Sequence, residues 1–187
     1  MKAILFSLLL LAPPLFLPAQ SLSVFNRSVQ EIEMGTLNYL ELRYAGETFT
    51  LVPPANWRVE TDSQAATIRF ISRVSNAAIE LRFATNEARQ VLASSDALLQ
   101  QAAPFLSDVR VLEEFPTYSG SAAGKAVDLS FTLLRISMRG RAVAVPFTGG
   151  CVTLVLTCSA DDFKRQQSVL GALANTLQQK TVSRAGR

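Results

Sequence analysis

Residues 149–163 read GGCVTLVLTCSADDF, and they place a continuous apolar run directly before the start of a helix. Val152, Leu154 and Leu156 alternate with less apolar residues, as in a strand with one face in a core. Two glycines precede the run, and the acidic stretch SADD that follows is typical of a helix N-terminus. The stretch therefore predicts a strand over Cys151–Cys158 with a turn before it and a helix after it.

The only two cysteines of the chain stand at the ends of this strand. Seven steps of about 3.3 Å separate their backbones by roughly 23 Å, and the odd spacing points the two sulfurs to opposite faces. A disulfide needs Cα atoms within about 7 Å, so we expect no intramolecular disulfide. Cys158 is expected to be a small buried hydrophobe. Cys151, beside Gly150, is either an exposed thiol that can bridge to another molecule or a partly buried structural residue.

Alternation of apolar and polar residues with a period of two recurs along the chain. In AAIELRFA, Ile79, Leu81 and Phe83 share one face, and Glu80 and Arg82 share the other, where we expect them to be exposed. Similar patterns predict further strands at residues 38–44, 48–52, 67–72, 109–115, 127–134 and 141–147. The short links between these strands favour antiparallel pairing, because parallel neighbours need long crossovers.

Two segments carry helical periodicity instead. Residues 159–179 form one, and residues 86–105 form the other, in which Ser94-Ser95-Asp96 can start a second short helix. Together these elements predict an α+β fold, an antiparallel sheet of about six to eight strands with helices packed on it.

The chain divides into four segments by composition. Residues 1–21 begin with Lys2 and an apolar run and end in a small-residue triplet, the pattern of a signal peptide cleaved after Ala19 or Ser21. We therefore expect export to the periplasm or the extracellular space, without a lipid anchor, since no cysteine lies near the cleavage site. Residues 22–36 are expected to form an extended arm, 37–179 a single domain and 180–187 a basic flexible tail.

The net charge of +3 belongs largely to the ends of the chain. Lys180, Arg184 and Arg187 lie in the tail, and Lys2 lies in the signal segment. The domain between them has no excess of basic residues, which argues against a nucleic-acid surface. At most, the tail is expected to make a peripheral contact with an anionic membrane.

The sequence offers little catalytic chemistry. It contains no histidine, which excludes the usual serine and cysteine triads and most zinc sites. The acidic pairs Glu113-Glu114 and Asp161-Asp162 can bind a hard cation, but a solvated or helix-capping role fits their spacing better. Arg139-Gly140-Arg141 is interpreted as a basic turn between two strands. We expect no metal and no cofactor.

Two stretches resemble the PsbP-like superfamily, which includes the bacterial DcrB-like proteins. FTLVPPANWRVE, residues 49–60, is similar to that family's strand, proline turn and tryptophan at Pro53, Pro54 and Trp57. Residues 138–177 are similar to its closing hairpin and C-terminal helix. The resemblance implies a PsbP-like α/β sandwich and an accessory or assembly role in the envelope or export compartment, without enzymatic activity. Histidine-based metal ligation proposed for photosynthetic members has no counterpart here.

The leading functional hypothesis is a non-catalytic exported accessory protein that binds another envelope or secreted protein through an open sheet face or edge. Its candidate partner-facing residues are Glu80, Arg82, Arg139 and Arg141. A carrier of an apolar small molecule or lipid is one alternative, since 49% of the residues are hydrophobic. An enzyme that uses Asp, Glu, Lys or Cys151 without histidine is the other.

Overall fold

Antiparallel strands make up most of the computed structural model, which describes residues 21–31, 35–85, 92, 94–103, 106, 108–119 and 122–180. The expected signal segment up to residue 20, and residues 181–187 of the expected tail, lie outside these ranges. The strands of the described part are β1 (Ser23–Glu31), β2 (Gly35–Tyr44), β3 (Glu47–Leu51), β4 (Trp57–Asp62), β5 (Thr67–Ser72), β6 (Ala78–Thr85), β7 (Arg110–Ser119), β8 (Ala122–Leu133), β9 (Ile136–Phe147), β10 (Gly150–Ser159) and β11 (Gln178–Lys180).

The strands form two sheets. The large sheet has seven strands in the order β4-β5-β6-β10-β9-β8-β7, and the small sheet has four in the order β1-β2-β3-β11. Helix α1 (Ser95–Ala102) begins at Ser94, whose Oγ accepts a hydrogen bond from the Ala97 backbone N–H at 3.0 Å. Helix α2 (Phe163–Thr176) follows β10 after a 3-10 turn (Ala160–Asp162).

The larger core cluster fills one face of the large sheet. Strand β10 contributes its even-numbered apolar side chains, and the small sheet and α2 cover them from the other side. Tyr44 and Phe49 of the small sheet each contact Phe83 of β6, with ring centroids 5.1 Å apart in each pair. Phe147 of β9 also contacts Phe49. Contact of this kind between large rings buries enough apolar surface to hold the two sheets together.

A smaller core cluster lies on the opposite face of the large sheet. Leu98 of α1 belongs to this cluster together with Val127, Leu129, Cys151 and Val155. Helix α1 covers the side of the sheet near β8, β9 and β10, and the alternation of β8 and β10 supplies the apolar side chains beneath it. The large sheet is therefore a middle layer, with α1 on one side and the small sheet and α2 on the other.

The strand predictions agree with the structure wherever alternation is strong. Each of the eight predicted strands overlaps an observed one, and the segment over residues 67–72 coincides with β5. Strands β1, β4 and β11 were not predicted, because each has at least one exposed face and few apolar side chains. The large sheet has a strand number within the predicted range, but the fold is dominated by strands, and a second sheet as well as helices covers it.

The segment that was expected to be an extended arm contains a strand. Ser23–Glu31 is β1, which pairs with β2 over nine antiparallel positions from Ser23 opposite Arg43 to Glu31 opposite Gly35. The sequence lacks a core pattern here because most β1 side chains are exposed. Backbone hydrogen bonds to β2, rather than apolar burial, hold this strand in the small sheet.

In the described ranges, none of the helices has the length and apolar character that crossing a bilayer requires.

Candidate functional site

The polar side of β6 lies on the face of the large sheet that points away from the small sheet. Ile79, Leu81 and Phe83 fill the larger core on one side of this strand, so Glu80 and Arg82 lie on the other. This arrangement is the one that the alternation predicts. Among the described residues, α1 packs near β8 to β10, which leaves the region of β4, β5 and β6 as an open part of the face.

Glu80 is the centre of this region. Glu60 of β4, Arg69 of β5 and Glu80 stand opposite one another in register. Arg69 Nη2 donates to Glu80 Oε2 at 2.8 Å, and Arg82 Nη2 donates to Glu80 Oε1 at 2.7 Å. Only 6% of the Glu80 side chain is exposed, against 51% for Arg69. The expectation that Glu80 is exposed is therefore wrong, because it lies on a central strand beneath two guanidinium groups.

Charges of both signs continue across β4. Arg58 Nη2 lies 2.8 Å from Glu60 Oε1 on the edge strand, and Asp62 Oδ1 accepts hydrogen bonds from the backbone N–H groups of Gln64 and Ala65. We call the set on this surface the charged face, and it consists of Arg58, Glu60, Asp62, Arg69, Glu80 and Arg82. The charged face carries three basic and three acidic residues, so it suits a polar protein surface better than a uniformly charged ligand.

Two surface grooves flank the Arg69–Glu80 pair. One, of about 330 Å³, continues from this pair to Val155 and Thr157 of β10. The other, of about 310 Å³, runs along Glu60, Asp62 and Arg82. The grooves place both guanidinium donors and acidic acceptors within reach of an extended polar segment. No cluster of three or more acidic or cysteine residues in the described ranges could hold a metal ion.

Sequence reasoning missed Arg69 and Glu60. Arg69 is the single charged residue inside the predicted strand TIRFIS, and its cross-strand position opposite Glu80 depends on the register of β5 and β6. The available signal for Arg69 was its position between two apolar residues of a predicted strand. Glu60 lies on β4, whose sequence WRVETD carries too few apolar residues to predict a strand.

Arg139 and Arg141 lie on the opposite face of the large sheet and inside β9, so the predicted basic turn is wrong. Arg141 donates from Nε to Asp128 Oδ1 at 2.6 Å and from Nη2 to Oδ2 at 2.9 Å. Its guanidinium stacks 4.5 Å from the Phe115 ring centroid, and that of Arg139 stacks 4.8 Å from the Phe163 ring centroid. These contacts place both arginines at the junction between the sheet and α2. The turn between β8 and β9 is Leu134-Arg135 instead.

A second ionic cluster lies on the outer surface of the small sheet. Arg43 donates to Glu41 Oε1 from Nη2 at 2.8 Å, and Arg27 Nη2 lies 3.6 Å from the same oxygen. The hydrogen bond from Arg43 lowers the pKa of Glu41 from its ordinary 4.5, and the charge of Arg27 adds to this against the opposing effect of burial. Glu41 is therefore held as a carboxylate and orders the arginines around Phe25.

The two cysteines occupy opposite faces of β10, and no disulfide joins them. Cys158 is fully buried in the larger core, as predicted. Cys151 is fully buried in the smaller core, so of the two alternatives at this position the exposed thiol is wrong and the structural residue agrees with the structure. The physical reason is that β10 lies between β6 and β9, and α1 covers the face that carries Cys151.

Burial also sets the chemistry of Cys158. Loss of water around its thiol raises its pKa to about 11, with a further contribution from the charge of Asp162. We expect iodoacetamide to modify Cys158 in the native protein about a hundredfold or more slowly than in urea, because the thiolate is the reactive form. Mass spectrometry of timed samples would measure this rate. Rapid native labelling of Cys158 would contradict the burial.

Solved structures share this architecture at low sequence identity. LpqN from Mycobacterium tuberculosis, described as involved in cell envelope biogenesis, matches with a TM-score of 0.53 and 13% identity over 84% of this chain and 92% of that chain. Cyanobacterial PsbP from Synechocystis gives a TM-score of 0.53 and 10% identity over the same shares. The Ran-binding protein Mog1p from Saccharomyces cerevisiae gives 0.51 and 10% over 83% of this chain and 96% of that chain.

The chain therefore has the PsbP/Mog1-like fold, as the resemblance in residues 49–60 and 138–177 implied. No protein-family model and no curated protein matches the sequence.

Proposed function

We propose that the protein is a non-catalytic exported accessory protein, which binds another envelope or secreted protein through the charged face. The observation that carries this proposal is the Arg69–Glu80–Arg82 cluster on a part of the large sheet that the described helices leave open. Glu80 fixes the two guanidinium groups, and the exposed Arg69 and Glu60 present opposite charges to a partner. Paired charges in fixed positions favour specificity in protein recognition.

The same geometry argues against a catalytic role for Glu80. Only 6% of its side chain is exposed and two guanidinium groups bind its two oxygens, so a substrate has little access to this carboxylate. Two structural neighbours also support a binding role, since LpqN is described as involved in envelope biogenesis and Mog1p as Ran-binding. Export rests on the sequence pattern of residues 1–21.

Native mass spectrometry of the protein, gently extracted from its own cells or culture fluid, tests the proposal. A second polypeptide in the complex would support it and identify the partner. A small non-covalent adduct without a polypeptide would favour the carrier alternative instead.

The charged face is then tested with the identified partner. We expect Arg69→Gln to weaken binding about tenfold, because it removes an exposed cation that Glu80 holds in place. The matched control is Arg165→Gln, which removes another exposed, paired arginine from α2. Isothermal titration calorimetry would measure both affinities. Equal affinity for Arg69→Gln and the unsubstituted protein would rule out this face as the binding surface.

A further inference from the structure

The hairpin of β8 and β9 ends in a group of exposed aliphatic side chains. Leu133, Leu134 and Ile136 have exposures of 52%, 88% and 53%, and Arg135 between them is also exposed. We call residues 133–136 the aliphatic tip. A two-residue turn at the end of two long strands makes this tip a protrusion rather than a groove.

Strand β7 extends the apolar surface beside the tip. Val111 pairs with Leu129, four residues before β8 ends at Leu133, and the ladder shifts register between Val111 and Glu113, which leaves Leu112 outside the regular pairing. Val111 and Leu112 are both exposed. Several large aliphatic side chains therefore share one end of the sheet, and a grouped apolar surface of this kind marks an interaction site more often than isolated residues do.

The conformation of the turn gives no reason for a leucine at its tip. Leu134 and Arg135 have φ values of 49° and 66°, the left-handed region that asparagine and glycine occupy at lower energy in two-residue hairpins. Leu134 also buries little surface in the fold. The aliphatic side chain of Leu134 therefore neither helps the turn to form nor fills the core. Contact with another molecule explains a leucine at this position better.

The charges around the tip indicate the occupant. Arg135 lies inside the tip, and Arg110 lies at the start of β7 opposite Ser130, three residues before Leu133. Both are exposed, and neither forms an ion pair with any residue in the described ranges. Asp108 is the exposed acid that precedes Arg110 in the chain. A protruding aliphatic turn with unpaired cations nearby fits a fluid bilayer with anionic headgroups. Lipid molecules rearrange around a protrusion, whereas a protein partner must have a groove that matches it.

We propose that the aliphatic tip inserts into the interface of an anionic lipid bilayer, with Leu133, Leu134 and Ile136 among the upper acyl chains. Arg110 and Arg135 then contact the lipid phosphates. The charged face belongs to the β4 side of the large sheet and the tip to its β8–β9 side, so the two surfaces do not compete. The membrane contact is thus independent of the partner proposed above.

Co-sedimentation with vesicles of phosphatidylcholine plus phosphatidylglycerol, and of phosphatidylcholine alone, tests the proposal with the unsubstituted protein. The decisive variant is Leu134→Asn, since asparagine suits the positive φ and removes the aliphatic side chain. We expect its partition coefficient on anionic vesicles to fall about tenfold, while its thermal stability stays the same or rises. Arg135→Gln should reduce binding about fivefold on anionic vesicles and little on phosphatidylcholine alone.

The matched control is Val29→Ser, which removes an exposed aliphatic side chain from β1 and should leave vesicle binding unchanged. Two results would overturn the proposal: the unsubstituted protein stays in the supernatant with anionic vesicles, or Leu134→Asn sediments with them equally well. Analytical ultracentrifugation without lipid examines the alternative occupant. Self-association that Leu134→Asn abolishes would assign the tip to a second copy of the chain and would also overturn the membrane proposal.

Discussion

The substitution Gly140→Ala should lower the free energy of unfolding by about 3 kcal/mol or more, because the large sheet has no space for a methyl group at this position. A Cβ on Gly140 would lie 2.5 Å from the backbone oxygen of Leu156 and 3.0 Å from Leu129 Cδ1. The first contact is with the backbone of β10, which cannot move without disturbing the pairing of β9 with β10. Urea unfolding followed by circular dichroism would measure the change.

Gly171→Ala is the matched control, since Gly171 lies on α2 and a Cβ there would meet nothing within 4 Å. Alanine in an exposed helical position should raise the free energy of unfolding by about 0.5–1 kcal/mol. Opposite signs for the two glycine substitutions are therefore the expected result. Equal stability of Gly140→Ala and the unsubstituted protein would show that β9 and β10 are not paired as described.

Asp128→Ala is expected to destabilise the protein by about 3 kcal/mol, because it leaves the Arg141 guanidinium without its counter-charge. Asp128 is buried, it receives two hydrogen bonds from Arg141, and Gln167 of α2 donates to the same carboxylate at 3.4 Å. This destabilisation is at the lower end of the range for buried ion pairs, because 23% of the Arg141 side chain remains exposed. Thermal and urea unfolding would measure it.

Glu60→Ala provides the comparison for Asp128→Ala. Glu60 also pairs with an arginine, but 46% of its side chain and 59% of the Arg58 side chain are exposed. Solvent screens this pair, so its removal should change stability by less than about 1 kcal/mol. Similar losses for the two variants would mean that burial does not distinguish these ion pairs.

The difference in burial between these ion pairs bears on function. It distinguishes arginines that pack inside the fold from arginines that a partner can reach. Arg141 and Arg139 are engaged at the sheet–helix junction, whereas Arg69 is half exposed beside the grooves of the charged face. From the sequence pattern, Arg139 and Arg141 were predicted to lie in a basic turn and to face a partner. Their positions within β9 assign them instead to the internal packing of α2 against the sheet.

The contrast between Cys158 and Cys151 shows where sequence reasoning succeeds and where it stops. Alternation within one strand places the two sulfurs on opposite faces, and it marks the face of Cys158 as core, as the structure confirms. It could not foresee that α1, more than 45 residues earlier in the chain, covers the face of Cys151. Burial of that face depends on a contact between distant segments, which local periodicity does not encode.

Within single elements, the sequence by itself determined much of this protein: which side chains of β6 and β10 enter the larger core, and that a helix follows β10. These features follow from the two periodicities of the backbone, 2.0 and 3.6 residues, which act within a few residues. The tertiary structure decided the pairing of Arg69 with Glu80, the enclosure of Gly140 and the position of Val111 opposite Leu129. Each depends on the register between strands, which many distant contacts fix together and no single stretch specifies.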